Sequence, residues 1–172
     1  DFIDRDKDRP DAIRSRDFFE ACWAEATYQG KVYAIPNSTD CRALYYNEDL
    51  LESAGYVNPD GSPHPPENWT ELREYANKLT IRDANKNLIR VGFIPNYGNS
   101  WLYIYGWLNG AKFMSDDGRT CLLTRPELVD ALKYMVNVYD DLGGVQQVDA
   151  FSSTFQGGEF DPFIIGRVAM KI

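Results

Sequence analysis

The sequence is short of the residues from which metal centres and histidine-dependent catalytic sites are built. It contains one histidine, His64, in a proline-rich stretch, and three cysteines, Cys22, Cys41 and Cys121, without metal-ligand spacing. This supply leaves almost no room for a zinc site or for a triad that uses histidine as its base. The odd number of cysteines requires at least one thiol to be free or to pair between chains. A bridge between Cys22 and Cys41 and buried free thiols both stay open.

Positive charge and long apolar runs are scarce as well. Lysine and arginine number 18 against 26 aspartates and glutamates, which gives a net charge of −8. Nucleic-acid binding needs a basic face that neutralises phosphates, so we expect no nucleic-acid partner. No apolar run approaches the roughly 18 residues of a membrane-spanning helix, and the apolar region of a secretory signal is missing too. What is present, 44% hydrophobic and 26% charged residues, is typical of a globular domain with one core.

Helix and strand patterns alternate along the chain, which predicts a layered α/β fold. Apolar residues at helical spacing predict helices over 10–28, 48–54, 69–80, 101–108 and 126–142, and the uniformly apolar 101–108 predicts a buried one. Short apolar runs predict strands over 32–36, 42–46, 88–94, 120–123 and 168–172. Asn47, Asn68 with Glu71, and Thr124 with Glu127 are typical of helix starts.

Four motifs follow one another in an order that is characteristic of a known family. They are GKVYAIP at 30–36, LYYNEDLL at 44–51, PPENWTEL at 65–72 and, after Phe163, GRVAMKI at 166–172. The chain resembles the family-1 extracellular solute-binding proteins, the sugar-binding subunits of bacterial ABC importers typified by maltose-binding protein. Those families carry G-K-x-Y-x-x-P, L-x-Y-N-x-D-L-L, P-P-x-T-W-x-E-L and F-x-x-G-x-x-A-M-x-I in this order.

The resemblance implies a periplasmic-binding-protein-like (type II) fold of two α/β lobes with the ligand in the cleft between them. Residues 1–39 would be the terminal part of the first lobe, 40–46 a hinge crossing, and 47–172 a second lobe that is incomplete at its C-terminal end. Family members carry a signal peptide, often a lipoprotein one. We therefore expect a mature or excised chain whose membrane contact runs only through a lipid anchor that this sequence does not contain.

The function implied by the resemblance is capture of a mono- or oligosaccharide outside the cytoplasm, without a cofactor, and delivery to the permease subunits of an ABC transporter. Glycerol phosphate and polyamines are alternatives within the family, although a net charge of −8 slightly disfavours an anionic ligand. Because half a cleft leaves much of a ligand in water, we expect weak or undetectable sugar binding by these 172 residues alone.

Sugar recognition needs flat aromatic faces and planar groups that grip neighbouring hydroxyls. At the first crossing, the resemblance implies a hydroxyl-binding role for Asp40, seven residues before Asn47. Arg42 would donate to hydroxyls or pair with Asp40, and Ser38 and Thr39 would make weaker polar contacts.

A second set of ligand contacts is implied where the family has a loop that enters a helix. Here Trp101 would be a stacking platform, Asn99 would bind hydroxyls, and Tyr97 is an intermediate candidate. Trp107 is more typical of core, and Trp69 is expected to pack on the apolar face of its helix.

Two other classes of function stay open. A glycoside-processing enzyme would need paired carboxylates, for which Asp40 with Asp161 or Glu159 are conceivable partners. The serines and threonine of 152–154 have no base nearby, and the glycine pairs at 143–144 and 157–158 lack the Lys and Ser or Thr of a phosphate loop. The other alternative is a structural or interaction lobe whose cleft binds nothing.

Overall fold

The computed structural model describes residues 2–98, 100–155 and 161–172, and its chain forms two compact units. The first unit is Asp1–Cys41 and the second is Arg42–Ile172. Asn99, Gly157, Gly158 and Glu159, which the sequence analysis named, lie outside the described residues. That the units correspond to parts of two lobes, with a crossing at 40–46, stays a prediction.

The first unit contains short elements and no buried side chain among those described. Its elements are α1 Phe2–Asp6, a 3-10 turn Ser15–Asp17, α2 Glu20–Glu25, β1 Thr27–Tyr28 and β2 Lys31–Val32. The strands form a hairpin whose turn residues Gln29 and Gly30 have φ of 47° and 75°, the left-handed conformation that a tight hairpin turn requires. Of the predicted helix over 10–28 only the 3-10 turn and α2 form, and of the predicted strand over 32–36 only Val32 lies in a strand, because none of the described residues of this unit is buried in a core that would stabilise longer elements.

The second unit is built on a four-stranded sheet in the order β3-β6-β5-β4. The strands are β3 Tyr45–Tyr46, β4 Ile81–Arg82, β5 Leu88–Phe93 and β6 Val168–Lys171. β5 and β6 are parallel, whereas β3 and β4 run antiparallel to their neighbours. The helices are α3 Glu48–Ser53, α4 Trp69–Leu79, α5 Leu102–Leu108, α6 Pro126–Asp141 and α7 Val145–Ser153. The mixed α/β fold agrees with the prediction.

Two predicted helix starts are confirmed by side-chain caps. The side-chain oxygen Oδ1 of Asn47 accepts from the Leu50 amide, and Oδ1 of Asn68 accepts from the Glu71 amide, each at 3.0 Å. The capping box at Thr124 is wrong, because α6 begins at Pro126 with Arg125 in the capping position. The residue before a proline favours extended backbone, which suits a capping position.

Close packing of α4 on the sheet depends on one glycine. A Cβ added at Gly92 of β5 would lie 2.1 Å from the Ala76 carbonyl oxygen and 2.5 Å from its Cα. Ala76 and Leu79 of α4 belong to the larger core cluster, which also contains Phe93 and Met170. A smaller cluster combines Val91 of β5 and Val168 of β6 with Val148 and Phe151 of α7, a helix that the sequence analysis missed because the preceding glycine pair indicated only a stop.

Three further predictions are corrected. The strand over 42–46 is reduced to Tyr45–Tyr46, because β6, with which it pairs, ends at Lys171, the partner of Tyr45. The strand over 120–123 is a single bridge between Met114 and Cys121. The three cysteines are free; Cys22 is half-buried and Cys41 and Cys121 are exposed, so neither a bridge nor fully buried thiols is found. In the described part of the chain, none of the helices has the length and apolar character needed to cross a membrane.

Candidate ligand-binding edge of the sheet

The parallel strands β5 and β6 bring their carboxyl ends to the same edge of the sheet. Phe93, the last residue of β5, pairs with Met170 near the end of β6. Because β3 is antiparallel to β6, residues 42–44, which precede β3, approach the same edge of the sheet, and Tyr45 pairs with Lys171. Ligands of open α/β sheets bind outside the carboxyl ends of the strands. We call this region, residues 42–44, 94–98, 100–101 and 171–172, the carboxyl edge.

The loop after β5 is held by hydrogen bonds to one carbonyl. The hydroxyl groups of Ser100 and Tyr105 both donate to the Pro95 carbonyl oxygen, the latter at 2.6 Å. Ser100 is fully buried, and burial raises the pKa of Tyr105 far above its ordinary value, so this phenol stays protonated as a donor. Gly98 has φ of 80°, and a Cβ there would lie 3.0 Å from the Ile172 carbonyl oxygen. The loop therefore needs glycine to approach the end of β6.

A groove of about 290 Å³ opens beside this edge within the second unit. Its lining is a mixture of apolar, aromatic and polar side chains: Arg42, Ala43, Leu44, Pro66, Glu67, Asn68, Trp69, Leu72, Ile104, Tyr105, Leu108 and Ile172. The groove thus combines flat apolar faces with polar groups, the combination that small-molecule sites use.

The aromatic wall of the groove is fixed by packing behind it. Trp69 stacks on Tyr134 with ring centroids 4.7 Å apart and meets Tyr105 edge to face at 5.8 Å. The prediction that Trp69 packs on the apolar face of its helix is confirmed, and its ring also borders the groove. A ring held in this way can receive a ligand without losing further side-chain freedom.

A polar cluster of three side chains lies at the ends of the same strands. The Asp161 carboxylate accepts from the Lys171 ammonium group at 2.5 Å and from the Phe163 amide at 2.8 Å, and it interacts electrostatically with the Tyr97 hydroxyl. Burial followed by the neighbouring carboxylate raises the pKa of Tyr97 to about 12. Burial opposes ionisation of Asp161, yet the donors around it, Lys171 first, hold the pKa of this carboxyl below its usual range. Tyr97 therefore stays protonated and Asp161 stays ionised at neutral pH.

The predicted site residues are distributed over both units. In the second unit, Arg42 lines the groove, Tyr97 is half-buried in the polar cluster, and Trp101 directly precedes α5 with 54% of its surface exposed. In the first unit, Ser38 and Thr39 are exposed and line a cavity of about 500 Å³ with Phe18 and other residues of that unit. Asp40 is exposed in the same unit. Ligand contact by any of these residues stays a prediction.

The expectation that 101–108 is a buried helix is wrong for much of its length. Only Ile104, Tyr105 and Gly106 of α5 are buried. Trp107 is 63% exposed and lines a separate groove of about 590 Å³ with Tyr103, Phe113 and others. The uniformly apolar sequence concealed the fact that one face of α5 packs on α6 while the other faces outward.

Sequence reasoning missed the pairing of Asp161 with Lys171. Asp161 was named only as a conceivable catalytic carboxylate, and Lys171 only as part of a strand motif. A carboxyl group whose pKa is lowered is ionised at neutral pH and makes a poor general acid. The available signal was the position of Lys171 at a strand end, but its partner lies ten residues earlier and is brought near by folding.

Comparisons with known proteins identify the family. The sequence profile of the bacterial extracellular solute-binding proteins matches residues 4–166. The chain belongs to this family. Its members are extracellular binding proteins, so the family resemblance expected from the motifs is confirmed, and the protein works outside the cytoplasm.

Curated relatives of this family member are similar to it over part of their length. A binding protein of Brucella abortus is 30% identical over 124 residues, which are 72% of this chain and 28% of the relative. An ABC transporter-binding protein of Deinococcus radiodurans is 30% identical over 67% of this chain and 27% of its own. The sn-glycerol-3-phosphate-binding periplasmic protein of Escherichia coli is 27% identical over 76% of this chain and 30% of its own. The chain thus spans less than a third of the length of these relatives.

Solved structures of sugar-binding proteins have the same fold. The protein CpMnBP1 with mannotriose bound is 29% identical with a TM-score of 0.78, over 96% of this chain and 42% of its own. A solute-binding protein of Thermotoga lettingae bound with α-D-tagatose is 26% identical with a TM-score of 0.63, over 91% and 38%. The type II periplasmic-binding-protein-like fold, present here as a partial chain, is therefore confirmed.

Proposed function

We propose that the protein to which this chain belongs captures a mono- or oligosaccharide outside the cytoplasm and delivers it to the membrane permease subunits of an ABC importer. The observation that carries this proposal is the groove at the carboxyl edge, where a fixed aromatic wall adjoins polar groups. The proposal is supported by similarity to proteins whose structures hold mannobiose and mannotriose.

The chemistry of the groove suits a neutral polyol. The ring of half-buried Trp69, with the buried Tyr105 packed against it, offers apolar surface for the C–H face of a pyranose, and the guanidinium of Arg42 offers planar donors for hydroxyl oxygens. Trp101, half-exposed at the entry of α5, would extend the stacking surface. Each of these contacts removes apolar sugar surface from water or replaces a hydrogen bond to water.

Transport requires that ligand capture be sensed by the importer. In our proposal the sugar lies in a cleft between two lobes of the full-length protein, and the carboxyl edge is the wall that the second lobe supplies. Ser38, Thr39 and Asp40 would contribute at the crossing over 40–46. A ligand that contacts both lobes stabilises the closed state over the open one by its difference in affinity for the two. The closed state would be the form that the permease recognises.

We infer that the protein binds its ligand without chemical conversion. Its family and structural neighbours are binding proteins. Asp161, one member of the carboxylate pair considered above, is engaged by Lys171 and the Phe163 amide. Incubation of the protein with chromogenic glycosides should therefore release no product, and product whose formation is lost in Asp40→Ala would contradict this inference.

Calorimetric titration of the full-length gene product with mannobiose, mannotriose, maltose, sn-glycerol 3-phosphate and spermidine tests the proposal. We expect saturable binding of at least one sugar. Trp101→Ala should weaken that binding about tenfold or more, as loss of a large aromatic contact does. Trp107→Ala is the matched control, because it removes a tryptophan that is also more than half exposed from the other groove.

Binding of a non-carbohydrate only would contradict the proposed ligand class while leaving the fold in place. Equal effects of Trp101→Ala and Trp107→Ala would contradict the proposed location.

A further inference from the structure

The polar cluster of Tyr97, Asp161 and Lys171 contains a lysine whose positive charge is paired with a carboxylate. Lys171 is the last residue of β6, and 23% of its side chain is exposed. Its ammonium group lies 2.5 Å from Asp161 Oδ2 and 5.1 Å from the centre of the Phe163 ring. The cation at the end of this strand is therefore compensated by a carboxylate in direct contact.

The donors and acceptors of the cluster are already arranged. Asp161 receives the Phe163 amide and one Lys171 N–H, and the Tyr97 hydroxyl interacts electrostatically with this carboxylate. The Lys171 ammonium has two N–H groups besides the one that Asp161 receives, and a tyrosine hydroxyl can both donate and accept. Groups of this kind match neighbouring hydroxyl groups, each of which both donates and accepts.

The same arrangement is unsuited to a phosphate ester. A phosphate group has acceptor oxygens and a negative charge, so the Lys171 ammonium group would attract it. The Asp161 carboxylate, which lies 2.5 Å from that ammonium group, would repel it. The opposing interactions cancel much of the attraction that an uncompensated lysine offers. A neutral ligand loses nothing by this compensation.

Resting on the proposed function, we propose that Asp161 is a specificity-determining residue of the carboxyl edge: it positions Tyr97 and Lys171 for the hydroxyls of a neutral sugar, and its charge excludes phosphorylated polyols. The cargo of this protein is accordingly an uncharged carbohydrate. This distinguishes it from the Escherichia coli relative, whose name gives sn-glycerol 3-phosphate as its ligand.

The test compares Asp161→Asn with the wild type in calorimetric titrations of the full-length protein with mannotriose and sn-glycerol 3-phosphate at low salt. Asn keeps the size of the side chain and removes its charge, which leaves Lys171 uncompensated. We expect the affinity for the sugar to fall about tenfold, and that for glycerol phosphate to rise by at least tenfold. Added salt should reduce only the gain for glycerol phosphate, because screening weakens the exposed charge.

Asp130→Asn is the matched control, since Asp130 is an exposed carboxylate on α6 that also pairs with a lysine, Lys133. It should leave both affinities unchanged. Tyr97→Phe keeps the ion pair and removes one hydroxyl; it should weaken sugar binding two- to tenfold without gaining affinity for phosphate. This variant decides the matter if Asp161→Asn does not fold.

The outcomes separate this inference from the proposed function. A wild type that binds sugar, with an Asp161→Asn variant of unchanged sugar-to-phosphate preference, overturns the role of Asp161 and leaves sugar capture standing. Unchanged sugar affinity in Tyr97→Phe does the same. A wild type that prefers glycerol phosphate, or that binds neither ligand, overturns both proposals.

Discussion

Replacement of Gly98 by alanine should separate ligand binding from stability at the carboxyl edge. Gly98 has a φ of 80°, and an added Cβ would lie 3.0 Å from the Ile172 carbonyl oxygen. The left-handed conformation costs an L-residue about 1–2 kcal/mol. The neighbouring atom belongs to the backbone, so relief requires the loop and the end of β6 to move apart by a few tenths of an ångström.

We expect Gly98→Ala to lower the free energy of unfolding by about 1–2 kcal/mol and to weaken sugar binding about tenfold. The affinity falls because the loop carries Tyr97 and leads to Trp101, and both are proposed ligand contacts. Urea denaturation followed by circular dichroism gives the stability, and calorimetry on the full-length protein gives the affinity.

Gly118→Ala is the control for backbone strain. Gly118 has a φ of 68° in the turn that follows Asp117, and an added Cβ there would meet nothing within 4 Å. It should show the same loss of stability and no loss of affinity. If the two variants weaken sugar binding equally, or if Gly98→Ala leaves it unchanged, the loop does not position ligand contacts and our description of the edge is wrong.

Two further predictions concern the core and its helices. Gly92→Ala should destabilise the fold by at least 1–3 kcal/mol in urea denaturation, because its Cβ would meet the backbone of Ala76 rather than a movable side chain. The Arg73–Asp141 pair joins α4 to α6, with distances of 2.5 and 2.8 Å, and the hydrogen bond from Arg73 lowers the pKa of Asp141. Because its pKa is lowered, Asp141 stabilises the folded state fully above about pH 4, the usual pKa of an aspartate. This stabilisation is lost as the pH falls through the lower pKa that Asp141 has in the folded state.

The controls for these predictions are available in the same unit. Gly106→Ala should cost less than Gly92→Ala, since its Cβ would meet the side-chain ends of Leu128 and Phe113, which can move. Equal losses would show that α4 does not depend on close backbone contact. Asp141→Asn should remove about 1 kcal/mol at pH 7, as expected for a partly exposed ion pair, and progressively less as the pH falls below about 4. A constant difference across pH would contradict the role of its charge.

Sequence reasoning was most successful where a local signal decides the structure. Asn47 and Asn68 cap helices with their own side chains. The apolar residues of α6 recur at helical spacing and form one face that packs on the rest of the unit, so the spacing alone predicts this helix. It was least successful where pairing decides: β3 and β4 have two residues each, and the strand character of β3 comes from β6, more than 120 residues later in the sequence. The first unit lacks buried residues in its described part, so its apolar pattern over 10–28 was misleading.

The candidate site was accessible from the sequence only in part. The motif resemblance directed attention to Arg42, Tyr97 and Trp101, all of which the structure places in the second unit near the carboxyl edge. The groove itself could not be predicted, because Trp69 and Tyr105 meet through the packing of α4 and α5 on the sheet. Asp161 and Lys171 likewise become partners only when β6 is in place.

The most direct test of a sugar site at the carboxyl edge is hydrogen–deuterium exchange on the full-length protein with and without saturating mannotriose. We expect slower exchange of the amides in 42–44, 95–98 and 100–102, and unchanged exchange in 111–115, which borders the groove of Trp107. Protection confined to 111–115, or none at the carboxyl edge while the sugar is bound, would contradict the account.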